Sequence, residues 1–471
     1  MLFNYKVEER RRHPLYQWQQ AATLAIAQQE EIKKMAKVVV MGAGLGGLPT
    51  AYELRHLLPK EHTVTLISDR PEFTFIPGLI RVALNLNPLE QIQLDLAQLT
   101  KRHGIAWILG KVTDIAPEAK RITVGENQTV DYDYMAIATG ASFAFDTVPG
   151  LGPDGGYTHS VCTPNHALEA RSAWLKFLEA PGPLVVGAMA GVSCFGPAYE
   201  FLMMAEWELR QRGLRDKVSI TFVTPEPYAG HLGLDGLSNS RELTEALLQK
   251  RGIELVSNAR ITDVDSHAIA LADGRQIPFN YAMILPAFQG AKFIQNVPGL
   301  GNEKRFIPVL PTYEHPKFSS VYALGVSVAL QQPEEVSALG LPKTGQMTEA
   351  MALAVAHNIA VTLGVIHDSL KTPTLEVICL AEFGDTGIAY VAAPILPNPV
   401  TGKRRYSYAV PGRWVNWVKA AFEKYFLLKM KLGMGLPWFE ILGLRLLFGL
   451  SLLKNCDSGQ KNTLVQNTLK T

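Results

Sequence analysis

Residues 37–58 read KVVVMGAGLGGLPTAYELRHLL, and the spacing of the glycines in this stretch decides the fold. Val38, Val39 and Val40 form an unbroken apolar run, as in a strand covered on both faces. Gly42, Gly44 and Gly47 follow in G-x-G-x-x-G spacing ahead of a helical segment. In such a turn the first glycine makes the bend, the second lets a pyrophosphate approach the backbone, and the third lets helix and strand pack closely. The class that follows is α/β, with a parallel sheet wound from β-α-β units. A second strand, HTVTLISD (62–69), comes where a side chain at its end reaches an adenosine ribose. The customary acid is replaced there by Ser68, with Asp69 beside it, and either can bind the hydroxyl.

Around this unit the chain has room for two or three domains: 471 residues, 47% of them hydrophobic and 19% charged, describe a folded protein with a large core. A net charge of +2 gives no argument for nucleic acid as a partner. Four cysteines are too few to staple a fold of this size, so any that pair do redox work. Residues 1–36 carry clustered charge without the apolar core of a secretory signal and read as an N-terminal extension, helical over 14–35. No window reaches the roughly 18 uninterrupted apolar residues of a spanning helix. The nearest, ILGLRLLFGLSLL (441–453), is broken by Arg445.

At 131–140 the sequence DYDYMAIATG is a strand ending in Ala-Thr-Gly, before a loop that closes with VPG at 148–150. This resembles the segment with which the two-dinucleotide-domain flavoprotein disulfide reductases close the back of their FAD site. SSVYALGVSVAL (319–330) matches the strand where that superfamily usually has Gly-Asp on the flavin ribityl chain, and here Gly325 is followed by Val326. The resemblance implies two Rossmann-like domains: a discontinuous FAD domain at 37–150 and 301–400, and a second domain at 151–300 between its halves. It places Thr139, Gly140, Gly325 and Val112 around FAD.

The second turn is unusual. In GPLVVGAMAGVSCFGPAYEF (182–201), Gly187 and Gly191 still permit a tight bend, but the helix opens with Ser193, Cys194, Phe195 and Gly196. A thiol and a phenyl ring stand where a pyrophosphate would lie. The next strand, VSITFVTPEPYAGHLG (218–233), ends without an evident ribose acid, so nicotinamide is not expected. A cysteine at a helix N-terminus is expected to have a lowered pKa and to act as a nucleophile. Two more cysteines have distinctive contexts: Cys162 in HSVCTPNHA (159–167) and Cys379 in LEVICLAEFGDTG (375–387).

These contexts, together with PYAGHLG, PKTGQMTEAMALAVAHNI (342–359) and GRWVNWVKAAFEKYFLLKMKLG (412–433), make the chain similar to the sulfide:quinone oxidoreductases from Lys37 to about Leu453. The resemblance implies that Cys194 and Cys379 form a redox pair at the flavin, with Cys162 assisting sulfur transfer, and that sulfide leaves as polysulfide or elemental sulfur. It makes Glu200, His166 and His231 candidate proton handlers. It also puts Lys343 ahead of a helix starting near Gln346 that points at the flavin pyrimidine edge, where negative charge grows on reduction. The fourth cysteine, Cys456, matches nothing.

Residues 402–431 carry eight basic side chains, among them Lys403, Arg413, Lys419, Lys424 and Lys429, against the single acid Glu423. Trp414, Trp417, Val418, Ala421, Phe422, Tyr425 and Leu428 recur at helical spacing, so 401–455 reads as an amphipathic region lying in a membrane interface, with Phe426 and Leu428 on the inserted side. Family correspondence puts Phe422 and Phe439 around a quinone head group with Lys419 near it, and leaves 456–471 as a tail. The implied partners are sulfide, a membrane quinone and a lipid surface, with no nucleic acid and no metal, in a dimer or trimer attached to one membrane face. Three other readings stay open at this point: a type II NADH:quinone oxidoreductase, the flavin subunit of a flavocytochrome c sulfide dehydrogenase, and a non-catalytic membrane-anchored thiol sensor.

Overall fold

The computed structural model describes residues 35–234, 237–330, 339–398 and 400–456. The helix expected at 14–35 falls, but for its last residue, outside them, as does the tail beyond 456. From the first described residues the chain enters β1 (Lys37–Met41), α1 (Gly47–Leu57), β2 (Thr63–Ser68), β3 (Ala106–Leu109) and β4 (Tyr134–Ile137). β1 lies between β2 and β4, and β3 extends the sheet beyond β2, all parallel. Val38, Val39 and Val40 are at most 1% exposed, as a parallel strand between two helical layers requires.

A second unit follows. It comprises α2 (Pro164–Glu179), β5 (Leu184–Ala188), α3 (Gly196–Gln211), β6 (Ile220–Val223), α4 (Ser240–Lys250), β7 (Ile253–Val256) and β8 (Tyr281–Leu285). Its parallel sheet has the order β7-β6-β5-β8. The chain then returns: β9 (Val321–Ala323) pairs parallel with β4 and completes the first sheet. The first unit is therefore discontinuous, as its sequence implied. α5 (Gly345–Thr362) packs on α1 and is apolar nearly all round.

An antiparallel sheet of β10 (Val377–Glu382), β11 (Gly387–Ala393) and β12 (Tyr406–Pro411) comes next. The boundary expected at 400 cuts through this sheet, because β12 belongs with β10 and β11. α6 (Trp414–Lys431) and α7 (Trp438–Phe448) follow, and β13 (Leu453–Asn455) pairs with Lys371–Pro373. Cys456, the first residue of the expected tail, extends that ladder through its backbone N–H to the Leu370 carbonyl at 2.8 Å.

Two expectations for α6 change. Phe426 is 1% exposed and its ring lies 5.2 Å from that of Phe75 and 6.1 Å from that of Phe73, so it faces the core and not lipid. Lys429 also turns inward, 1% exposed, onto Glu349 and Glu440. The helix has two apolar stripes: Val415, Phe426, Leu427 and Met430 grip the protein, while Trp414, Trp417, Val418 and Leu428 stay exposed. α7 adds exposed Trp438, Phe439, Leu442 and Leu446 to the outer face. Among the described residues no helix is long and apolar enough to cross a membrane.

Candidate active site

Two of the three glycines of the first turn are held by close packing. Gly42 has φ +96°, and a side chain there would meet the Ala138 carbonyl at 2.4 Å. Gly47 touches the Gly42 carbonyl so closely that a methyl group would stand 1.7 Å from it, which is the tight helix-to-strand packing. Over Gly44, by contrast, the space is open. Gly140 is likewise open, with φ +70°, and the Thr139 hydroxyl beside it is buried without a protein partner. An open cradle at a helix N-terminus with an unsatisfied donor at its rim suits a dinucleotide pyrophosphate. Gly325, at φ +71°, opens the turn after β9 against Thr348.

At the end of β2 the Ser68 hydroxyl is already engaged, donating to the Arg70 carbonyl at 2.7 Å and accepting from the Trp107 indole at 3.1 Å. Asp69, next along, is exposed. Val112 opens the strand Val112–Ala116 just past β3 and is buried against Val124 opposite.

The second turn is built otherwise. Its top is covered by the chain itself: a Cβ on Gly340 would lie 2.3 Å from the Val192 carbonyl, and the Lys343 N–H donates to the Ser193 carbonyl at 3.3 Å. Phe195 fills the base of the turn at 1% exposure, and the Ser193 hydroxyl is buried without a protein partner. The strand after it does end near an acid, which sequence reasoning missed between two prolines. Glu226 is fully buried and turned inward, accepting from Tyr199 and Thr224 at 2.7 Å each and from the Leu232 N–H at 2.6 Å. Burial pushes its carboxyl up to about 7.

Opposite this turn stands β10. A methyl group on Gly196 would lie 3.4 Å from both the Cys194 and the Cys379 sulfur, so the two thiols flank one point at the start of α3. The expected lowering of the Cys194 pKa does not occur. Burial outweighs the Gly196 N–H that bonds the sulfur, and with Glu200 and Glu226 nearby it pushes the thiol up to about 11; burial raises Cys379 as well. A helix terminus acts strongly on a thiolate only where water also helps to solvate it.

Glu200, on the first turns of α3, is 5% exposed and forms an ion pair with Lys419 of α6. Burial raises its carboxyl, while Lys419 and the Glu382 N–H oppose the rise. Both partners act electrostatically on the two thiols. Lys419, expected at a quinone head group, is thus tied to the cysteine side. A second pair, Arg81 with Glu382, closes the cluster.

The other candidates are more dispersed. Cys162 does not line the cavity between the thiols; it precedes α2, next to the capping Thr163, and burial pushes its thiol up to about 12. His166 sits on α2 against Phe143 and Phe145, its pKa lowered by burial. His231 stacks edge-on to Tyr228, 5.1 Å between centroids, one residue before the cavity-lining Leu232. Lys343 lies ahead of the Thr344 cap of α5, its ammonium donating to the Val326 and Val328 carbonyls at 3.2 and 2.6 Å and lying 4.4 Å over the Phe306 ring. Burial lowers it to about 7. Phe422 and Phe439 meet through Tyr425, whose ring contacts both at 6.5 and 6.3 Å and whose hydroxyl donates to Glu440 at 2.7 Å.

Fold and turns together define the class, a pyridine nucleotide-disulphide oxidoreductase, and the family model of that description matches residues 36–325. The sulfide-quinone reductase of Aquifex aeolicus is 37% identical over 414 residues, 86% of this chain and 94% of that one. The crystal structure of the sulfide:quinone oxidoreductase from the same bacterium matches with a TM-score of 0.85 at 36% identity, over 90% of this chain and 98% of that one. The mitochondrial sulfide:quinone oxidoreductase of Dictyostelium discoideum is 22% identical over 370 residues, 76% of this chain and 79% of that one. Within the wider class, the chain belongs to the sulfide-quinone reductase family.

Proposed function

We propose that the chain oxidises sulfide at the Cys194–Cys379 pair and passes the electrons through FAD, held at the first glycine turn, to a membrane quinone. The observation that carries this reading is the approach of the two sulfurs to one point beside Gly196, with the Glu200–Lys419 ion pair next to them. Hydrosulfide attacks the disulfide of the oxidised pair; the old S–S bond breaks, leaving a persulfide on one cysteine and a thiolate on the other. FAD, when bound, supplies the two-electron acceptor that returns the pair to its oxidised state and delivers the electrons to quinone. Because burial raises both thiols, they shed protons at neutral pH only to a nearby base. Glu200 is that base, and Lys419 opposes the rise that burial imposes on its carboxyl. Lys343, whose ammonium donates to the Val326 and Val328 carbonyls, is the candidate to answer negative charge that grows on the flavin, and burial brings it down to about 7, so it gains its proton near neutral pH.

A pyridine nucleotide has no comparable seat, since residues 340–343 lie over the second turn. The exposed stripe of α6 and α7, which includes Trp417 and Trp438, suits the lipid interface where a long-tailed quinone resides. The test is anaerobic mixing while the flavin absorbance is followed. Sulfide bleaches the wild type and quinone restores it; Cys194→Ser and Cys379→Ser keep their flavin but do not bleach, and Cys162→Ser bleaches more slowly. Full turnover by Cys379→Ser, or bleaching by NADH alone, overturns the assignment.

A further inference from the structure

The cavity between the two thiols has a volume of about 20 Å³ and is walled by Leu232, Leu234, Val377 and Tyr390 beside the cysteines. That is room for a chain of one or two atoms and no more. Its two far walls are fixed in place. Tyr390 stands directly across from Cys379 in the β10–β11 ladder, so both side chains rise from the same face of the sheet. It is 1% exposed, and its hydroxyl is 3.2 Å from the hydroxyl of the fully buried Thr244 on α4. Leu232 adopts φ +57°, a left-handed conformation that a leucine disfavours. The buried Glu226 carboxylate holds it there through the Leu232 N–H.

Resting on the reading of the cysteine pair given above, we propose that Tyr390 and Leu232 set the length of the sulfur chain built there, so that the product leaves as disulfane. In the first cycle hydrosulfide opens the disulfide to a persulfide and a thiolate. Loss of one proton to Glu200 and of two electrons to the quinone pathway closes the bridge again with one inserted sulfur. A second hydrosulfide attacks that sulfur, which frees one cysteine as thiolate and leaves a two-sulfur chain on the other. A further inserted sulfur would need roughly 2 Å more of bond path, and Tyr390 and Leu232 occupy that space. The freed thiolate therefore attacks the cysteine sulfur bearing the chain, re-forming the disulfide and expelling HSS⁻. Two hydrosulfides have then given HSS⁻, one proton and two electrons.

The experiment uses the full-length holoenzyme, turned over anaerobically with limiting sulfide and a short-chain quinone. Intact-protein mass counts the sulfur atoms on the pair, and a bimane alkylating agent traps what is released. The wild type should carry at most the two-sulfur chain and release disulfane. Tyr390→Ala should carry longer chains and release longer polysulfides, whereas Tyr390→Phe, which keeps the wall, should match the wild type. Leu232→Gly, which removes the side chain and tolerates the left-handed backbone, should also lengthen the chain and serves if Tyr390→Ala does not fold. Long chains on the wild type, or unchanged lengths in folded, flavin-loaded Tyr390→Ala and Leu232→Gly, overturn the proposal. A wild type with no added sulfur at all refutes the cysteine pair itself, a distinct outcome.

Discussion

Replacing Lys419 by methionine should move the pH dependence of the sulfide reaction in a direction the ion pair dictates. The Lys419 side chain is 16% and the Glu200 side chain 7% exposed, so removing the ammonium leaves a carboxylate that water reaches poorly. Stranding one partner of a buried pair costs about 3–5 kcal/mol. The carboxylate avoids most of that cost by taking up a proton, so its titration should rise further than burial has already raised it. A protonated Glu200 accepts nothing from the thiols, so the acid limb of sulfide-dependent flavin reduction shifts upward and activity at neutral pH falls. Stability has its own sign. A carboxyl whose folded pKa lies above its unfolded value binds more protons when folded between those values, so the variant should lose stability as pH rises through that window. Lys419→Met combined with Glu200→Gln strands no charge and should regain stability without regaining activity. Stopped-flow bleaching across the neutral range and urea unfolding at several pH values read the two effects. An acid limb that stays where the wild type has it, or a single variant as stable as the double at every pH, would refute the argument.

At the first turn, Gly44→Ala should leave the apo-protein within about 0.5 kcal/mol of wild type, because the space above it is open, yet purify with little flavin. Gly47→Ala forces a methyl group to 1.7 Å from the Gly42 carbonyl and should cost about 1–3 kcal/mol in urea unfolding. Lys343, lowered by burial to about 7, binds fewer protons folded than unfolded up to its ordinary range. Stability of the apo-protein should therefore rise with pH above about 7, and Lys343→Met should flatten that rise. On the outer face, Trp417→Glu with Leu446→Glu, at positions 75% and 74% exposed, should release the protein from anionic liposomes with the fold intact. Phe426→Glu should instead unfold it, as circular dichroism will show.

What the sequence revealed was what depends on local backbone geometry. The G-x-G-x-x-G turn is legible because its glycine spacing is a local pattern: Gly47 packs on the Gly42 carbonyl five residues earlier, although Gly42 itself packs on Ala138, which the spacing does not announce. Cys194 stood out because it breaks that same local rule. Contacts between distant segments were not legible. Nothing near Cys194 announces that residues 340–343 lie over its turn, or that Lys419 reaches back to Glu200. Helical periodicity found the stripes on α6 but could not say which faced the core, so Phe426 was placed outward. The Cys194 pKa was misjudged for a related reason: the helix terminus can be read from sequence, whereas burial depends on β10, which arrives nearly two hundred residues later. Glu226 escaped notice because an acid between two prolines reads as a loop residue.

The chain over the second turn also bears on what the enzyme ignores. A nucleotide approaching that turn meets a rival joined to the same molecule, and a tethered group acts at an effective concentration on the order of millimolar whatever the surroundings hold. On the reading proposed above, the segment at 340–343 competes from within the molecule for any nucleotide drawn to the second turn. Because a Cβ on Gly340 would stand 2.3 Å from the Val192 carbonyl, Gly340→Ala should force this segment off the turn. Restoring a nucleotide there would require redirecting the path of the chain.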